Sequence, residues 1–315
     1  MGSETIKLPT IHFPHLKQEK SSSQTWEFLK NQVILALQEF GGFEATFDQI
    51  PQKLRSSVIE GIKQFFEVPF PIKLRYKPKN PYHGYNIGHH DFAPLYESFG
   101  IDDALSSGSM ESFTDLIWSE GNADFCKSIQ SFAAKLSKLD QIVRIMVLES
   151  LGLQKYIDEH IDSADYLVRL QKYDPPQSGE TELALASHTD KNFLTIMYQD
   201  EVVGMEIMTK DEQWINAQSS SNSFIVIVGD SFHAWTNGRL HPPQHRVMMT
   251  GNIALYSLSL FSVPKEGYII KTPKEMVDDE HPLQFRPFDY AKYLQFYNSS
   301  AGRRSLVPLK AYCGT

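Results

Sequence analysis

With only two cysteines in 315 residues, Cys126 and Cys313, the chain cannot build a disulfide framework or a thiolate metal cluster, so both read as reduced thiols. No apolar run approaches the ~20 residues that span a bilayer, and the start, Met1 to Lys7, lacks the apolar centre of a signal peptide. Gly2 is no persuasive myristoylation acceptor, because Ile6 stands where Ser or Thr is wanted. A basic field is missing as well: the net charge is -8 and no Lys/Arg run substitutes locally, which sets nucleic acid aside. Fixed-period repeats and low-complexity tracts are lacking, apart from the serines of 219–221, which read as a loop. These absences leave a chain expected to be cytoplasmic and monomeric, with no membrane partner. Its apolar fraction of 41% is ample for a core.

Hydrophobic periodicity divides the chain by texture. Leu8 to Phe13 reads as a short strand that joins a sheet edge. Trp26, Leu29, Val33, Leu37 and Phe40 fall at helical spacing, with a start near Ser23 or Thr25 and a stop at Gly41-Gly42. A second helix follows Pro51 through Leu54, Val58, Ile62 and Phe66. Residues 68–110 show no clean period and read as a long loop with one or two short strands. The longest helix is expected from Ala123 to Ser150, on a stripe of Phe125, Ile129, Phe132, Leu136, Leu139, Val143 and Met146, closed by Gly152. From Tyr166 to Ile270 the texture changes to repeated short strands, the pattern of a sandwich or barrel, and Phe288–Tyr297 reads as a helix packing back on the core.

His-x-Asp occurs three times, at His89–Asp91, His160–Asp162 and His188–Asp190, and the tripeptide alone proves nothing in a chain with 11 histidines. His89–Asp91 lies in the irregular loop, and His160–Asp162 in what reads as a solvated turn. His188–Asp190 differs because the apolar strand Leu183–Ser187 precedes it and Leu194–Tyr198 follows. That placement puts both side chains on one face at a strand end. A third ligand must arrive from elsewhere, and His245, at the head of Arg246-Val247-Met248-Met249, is the candidate. Two imidazoles and one carboxylate on one face of an octahedral ion leave adjacent positions open, the arrangement of non-haem Fe(II) oxygenases. The same donors also suit zinc or manganese.

With these residues in view, the chain resembles the plant 2-oxoglutarate- and Fe(II)-dependent dioxygenases over nearly its whole length. The resemblance rests on Gly41-Gly42-Phe43, Val168-Arg169-Leu170-Gln171-Lys172-Tyr173, Ser187-His188-Thr189-Asp190, Gly229-Asp230, Trp235-Thr236-Asn237-Gly238-Arg239 and His245-Arg246-Val247. The segments Phe261–Tyr268 and Asp279–Pro282 look most like the branch with glucosinolate side-chain dioxygenases and steroidal-alkaloid hydroxylases. The resemblance implies a mainly β fold with flanking helices, a double-stranded β-helix (jelly roll). One catalytic unit, 1–315, then comprises a mostly helical portion (1–160), the jelly-roll core with the metal site (161–270) and a C-terminal helix and tail (271–315). It also implies Fe(II) on His188, Asp190 and His245 and 2-oxoglutarate as co-substrate, contacted by Tyr173 and Ser257.

One position departs from the family. Its Arg-x-Ser motif, which receives the far carboxylate of 2-oxoglutarate, aligns with Leu255-Tyr256-Ser257, so a leucine stands where the arginine belongs. Arg169 and Lys191 are the candidate substitutes for the lost cation, Arg246 being expected to pair with Asp230. The leading expectation is hydroxylation or desaturation of a small hydrophobic metabolite, an alkaloid, terpenoid or steroid, with Tyr85, Phe193 and Phe261 lining its pocket. The alternatives are a non-oxidative isomerase or cyclase using His233, His241 or Tyr173 to move a proton, and a metabolite-binding protein.

Overall fold

The computed structural model describes residues 6–14, 24–78, 80, 83–88, 92–200, 202, 204–217, 220 and 222–315. The His89–Asp91 motif falls outside the described residues. The elements run β1 (Thr10–Phe13), α1 (Gln24–Glu39), β2 (Gly42–Phe47), α2 (Gln52–Glu67), α3 (Phe70–Lys73), β3 (Gly84–Ile87), β4 (Tyr96–Ile101), α4 (Ser109–Ile117), α5 (Ala123–Ser150) and α6 (Ile157–Asp162). There follow β5 (Ala164–Tyr173), β6 (Glu182–His188), β7 (Leu194–Gln199), β8 (Met205–Met208), β9 (Trp214–Asn216), β10 (Phe224–Val228), α7 (Asp230–Trp235), β11 (His245–Met249) and β12 (Leu255–Pro264). The chain closes with β13 (Ile269–Ile270), β14 (Phe288–Asp289), α8 (Tyr290–Asn298), α9 (Ser300–Arg304) and α10 (Pro308–Cys313).

Two open sheets form the scaffold: an eight-stranded one ordered β1-β2-β10-β7-β12-β5-β4-β3 and a four-stranded one ordered β6-β11-β8-β9. The long helix α5 covers the larger sheet. Its predicted apolar stripe is fully buried, Asn122 caps its start by accepting from the Phe125 amide at 3.0 Å, and Gly152 ends it with φ +71°.

Strand alternation decides what each face of the larger sheet offers. On β12, Leu258 and Leu260 join the apolar core that contains α5. Leu255, Ser257, Ser259 and Phe261 share the opposite face, and on β5 the matching face carries Tyr173, Gln171, Arg169 and Leu167. The polar residues thus mark the interior between the sheets, and the aliphatic ones mark the helical layer.

Three differences from the sequence reading have local causes. Phe43, Ala45 and Phe47 alternate inward to make β2, a strand too short to stand out beside the Gly-Gly stop. α3 occupies part of 68–110, where no helical period was legible, and α4 runs from the end of that segment to Ile117. The expected solvated turn at His160 is a short helix whose Asp158, Glu159 and Asp162 are exposed but whose His160 is fully buried, where Arg144 Nε donates to His160 Nδ1 at 3.2 Å and the Arg144 guanidinium also reaches the His160 carbonyl and, at 3.4 Å, Asp140. Burial, and then the nearby Arg144 charge, hold the His160 imidazole neutral, well below its usual pKa.

Candidate metal centre and the cavity wall beside it

The end of β6 and the start of β11 pair in register, His188 opposite His245, so a single ladder position brings the two imidazoles together with ring centroids 4.2 Å apart. Asp190, just beyond β6, completes the group. Its Oδ1 lies 3.8 Å from Nε2 of His188 and 3.8 Å from Nε2 of His245. Two donors bound at about 2.1 Å to one ion can stand up to about 4.2 Å apart, so a single cation can bridge either pair. Within the described residues this is the one group of three or more His, Cys, Asp or Glu side chains whose ligand atoms converge within 4.8 Å.

The surroundings aim these donors. His188 Nδ1 donates to the Ala186 carbonyl at 2.9 Å, and His245 Nδ1 faces the Pro243 carbonyl at 3.4 Å. Both contacts favour the tautomer whose Nε2 lone pair points at the shared space. Burial, reinforced by the neighbouring His245, pushes the pKa of His188 down to about 3, so the ring is a neutral ligand at physiological pH. Asp190 Oδ2 accepts from the Thr195 hydroxyl at 2.5 Å, which leaves Oδ1 for the metal. The Asp190 carbonyl accepts from the Asp230 amide at 2.8 Å. This close approach explains Gly229-Asp230: a Cβ at Gly229 would sit 2.1 Å from the Asn192 carbonyl oxygen.

Behind the metal group runs the inward face of β12 and β5. Leu255 pairs with Tyr173, Ser257 with Gln171 and Ser259 with Arg169. Gln171 knits this wall together, its Nε2 donating to the Tyr173 hydroxyl at 3.1 Å while its Oε1 accepts from Ser259 at 2.6 Å and Ser257 at 3.4 Å. Tyr173 is pushed well above the usual phenol range, chiefly by burial, and so keeps its proton. Tyr173, Ser257 and Leu255 therefore lie together on one face of the paired strands β5 and β12.

The three substrate candidates separate. Phe261 is half-buried on the same inward face, opposite Thr195. Tyr85 lies elsewhere, on the helical side, where its hydroxyl donates to Glu97 at 2.7 Å and its ring meets Phe70 and Phe99. Phe193 is wholly buried against His160, Phe232 and Arg144. Neither reaches the inner wall, because each sits on the opposite phase of the alternation or in the connecting loop.

The expected ion pairs also need correction. Arg246 does not meet Asp230; its Nε donates to Glu206 at 2.7 Å while its guanidinium stacks on Trp214. Asp230 is held by Lys191 at 2.9 Å and by the Tyr293 hydroxyl at 2.6 Å. Lys191 is consequently committed and does not replace the missing arginine. His233 Nδ1 donates to the Leu240 carbonyl at 2.6 Å and its ring packs on Phe285, and the His241 amide is tied to Leu37. Neither belongs to the metal group. Sequence reasoning overlooked Thr195, Gln171 and the tyrosines of α8, whose signals are a polar residue on an otherwise apolar strand and aromatic spacing in the tail.

A cleft of about 660 Å³ bordered by Tyr156, Trp235, Tyr268 and Phe285 contains none of the metal-group side chains. Among the described residues no helix is long and apolar enough to cross a membrane.

Comparison with known proteins matches residues 164–264 to the 2OG-Fe(II) oxygenase superfamily and residues 8–109 to the N-terminal region described as non-haem dioxygenase in morphine synthesis. A protein of Arabidopsis thaliana named probable 2-oxoglutarate-dependent dioxygenase AOP1.2 is 44% identical over 98% of this chain and 97% of its own length. The 2-oxoglutarate-dependent dioxygenase AOP3 of the same plant is 32% identical over 100% and 99%. Among solved structures, the rice dioxygenase for auxin oxidation superposes with a TM-score of 0.82 at 25% identity, covering 98% of this chain and 100% of that one. Its Arabidopsis thaliana counterpart in complex with 2-oxoglutarate gives 0.77 at 25% identity, over 87% and 99%.

Proposed function

Because the chain belongs to the 2-oxoglutarate- and Fe(II)-dependent oxygenase superfamily, we propose that it hydroxylates or desaturates a small hydrophobic plant metabolite of the alkaloid, terpenoid or steroid kind, acting as a cytoplasmic monomer. The observation that carries this reading is the convergence of His188, Asp190 and His245. The donor set fits Fe(II): two imidazoles whose Nδ1 atoms face backbone carbonyls, leaving Nε2 for an ion, and one carboxylate oxygen, with no further His, Cys, Asp or Glu joining the group among the described residues.

Bound iron supplies the oxidising chemistry that no side chain here possesses, coupling a 2-oxo acid and dioxygen to attack on a C–H bond. The chain's own groups hold, orient and enclose. His188 and His245 present Nε2, Asp190 presents Oδ1, and Thr195 fixes the carboxylate's rotation. Tyr173 keeps its proton and offers it to an acceptor in the interior, while Ser257, Ser259 and Gln171 add polar contacts along the same wall. Phe261 supplies an apolar surface for the substrate. The fit to 2-oxoglutarate itself is incomplete. Its metal-binding end meets a suitable site, but Leu255 offers its far carboxylate neither charge nor hydrogen bond.

The test is oxygen consumption by the iron-loaded protein with a 2-oxo acid and a panel of plant specialised metabolites. Conversion of a panel member that requires oxygen and is lost in His188→Ala supports the reading. Conversion that proceeds equally without oxygen contradicts it. The isomerase and cyclase alternative gains nothing from the geometry, since the His233 imidazole is bonded to the Leu240 carbonyl and neither His233 nor His241 belongs to the converging metal group.

A further inference from the structure

The wall beside the metal group changes character along its length. Near the Ser257–Gln171 and Ser259–Arg169 pairs it is polar, but at Leu255 it becomes an apolar cluster of Tyr173, Ala184, Leu185, Val247, Met249, Leu255 and Ala93. Leu255 is 1% exposed there. Val247 of this cluster is two residues from His245, which places the cluster about 7 Å along an extended strand from a metal ligand. That distance suits the tail of a short 2-oxo acid whose head is on the metal.

Among the described residues, the cations on these strands and beside the metal group have other partners. Lys172 lies on the other face of β5 and pairs with Asp174 at 2.9 Å. Lys191 is bound to Asp230 and Arg246 to Glu206. Arg169 shares the inward face but stands two pairs further along from Leu255–Tyr173, with Nη1 donating to Ser98 at 3.1 Å. A carboxylate pushed against Leu255 would lose its hydration and gain only neutral hydroxyl donors, those of Tyr173 and Ser257, with no cation opposite it. A branched aliphatic tail would lose no hydration of a charge and would meet the apolar side chains packed around Leu255.

Resting on the oxygenase reading above, we propose that the co-substrate subsite of this enzyme is selective for a 2-oxo acid with an uncharged aliphatic tail, and that 2-oxoglutarate is its weaker ligand. The overall reaction balances as in the family. The 2-oxo acid loses its carboxylate as carbon dioxide, and its carbonyl carbon takes one oxygen atom of O₂ to become a carboxylate one carbon shorter. The second oxygen atom enters the substrate C–H bond as hydroxyl, or leaves as water when a double bond forms. Two electrons come from the oxo acid and two from the substrate.

The test is binding, measured without turnover. The full chain, loaded with Mn(II) and kept free of oxygen, is titrated calorimetrically with 4-methyl-2-oxopentanoate and with 2-oxoglutarate. The aliphatic acid is expected to bind at least about tenfold more tightly, the scale of one charge-assisted contact. Leu255→Arg is expected to reverse the order and Leu255→Met to preserve it. The methionine variant, which keeps the cluster apolar, carries the comparison if the arginine variant does not fold. Tighter binding of 2-oxoglutarate to the wild type overturns the proposal, and its loss in Arg169→Met then assigns the carboxylate to Arg169. Failure of Mn(II) itself to bind overturns the oxygenase reading and this proposal with it, whereas Mn(II) binding with the wrong order of acids overturns only this one.

Discussion

Replacing Thr195 by valine removes one hydroxyl and almost no volume, and it isolates what orients the metal-binding carboxylate. Thr195 is fully buried, donates to Asp190 Oδ2 at 2.5 Å, and receives a 3.2 Å contact from Asn192 Nδ2. A hydrogen bond to an ionised carboxylate contributes about 1.5–3 kcal/mol. If that energy serves to hold Oδ1 toward the two imidazoles, its loss lowers metal affinity by roughly ten- to hundredfold. The assay is anaerobic titration of apoprotein with Mn(II), comparing wild type, Thr195→Val and Thr195→Ser. The serine variant keeps the donor and is expected to recover most of the affinity. Equal affinity for valine and wild type, with both folded, would refute the argument that Thr195 aims the carboxylate.

Other consequences follow from the same contacts. Gly229→Ala places a methyl 2.1 Å from the Asn192 carbonyl, so the metal loop must shift; a destabilisation of about 1–3 kcal/mol in urea titration is expected, together with weakened Mn(II) binding. Arg144→Met removes the partner of buried Asp140 and His160 and is expected to cost about 3–5 kcal/mol of stability by chemical denaturation. His160 has a depressed pKa in the folded state through burial. Below pH ~6.5 the unfolded chain takes up a proton there that the folded chain refuses, so stability is full above that pH and falls below it. Lowering the pH from 6.5 to 5.5 is expected to remove about 1 kcal/mol through this group alone. A urea midpoint that stays flat across that range would contradict the assignment of a neutral buried imidazole.

How far the sequence disclosed all this depends on the kind of signal. α5 was legible because its apolar stripe and its Gly152 stop agree; the Asn122 cap emerged only from the structure. The strands from Tyr166 onward were legible within a few residues because turn residues bracket each run. The metal group was legible because His188 and Asp190 share a strand end, although only the β6–β11 register explains why His245 lies opposite. What stayed hidden depends on the partner across space. Tyr85 and Phe193 have the composition of pocket residues and the strand phase of core residues, and sequence cannot decide phase in a loop-rich segment. Arg246 was expected to pair with Asp230, but on β11 it meets Glu206 and Trp214 instead. Leu255 was visible as a departure. That it joins an apolar cluster rather than facing a substitute cation could be learned only from the packing.

The most direct test of the central claim is the crystal structure of the chain soaked with Mn(II) under anaerobic conditions, with the ion located by its anomalous scattering. One ion bound by Nε2 of His188, Nε2 of His245 and Oδ1 of Asp190, each at about 2.0–2.2 Å, is the expected result. An ion held elsewhere, or either imidazole turned away from Asp190 with the metal present, would contradict it.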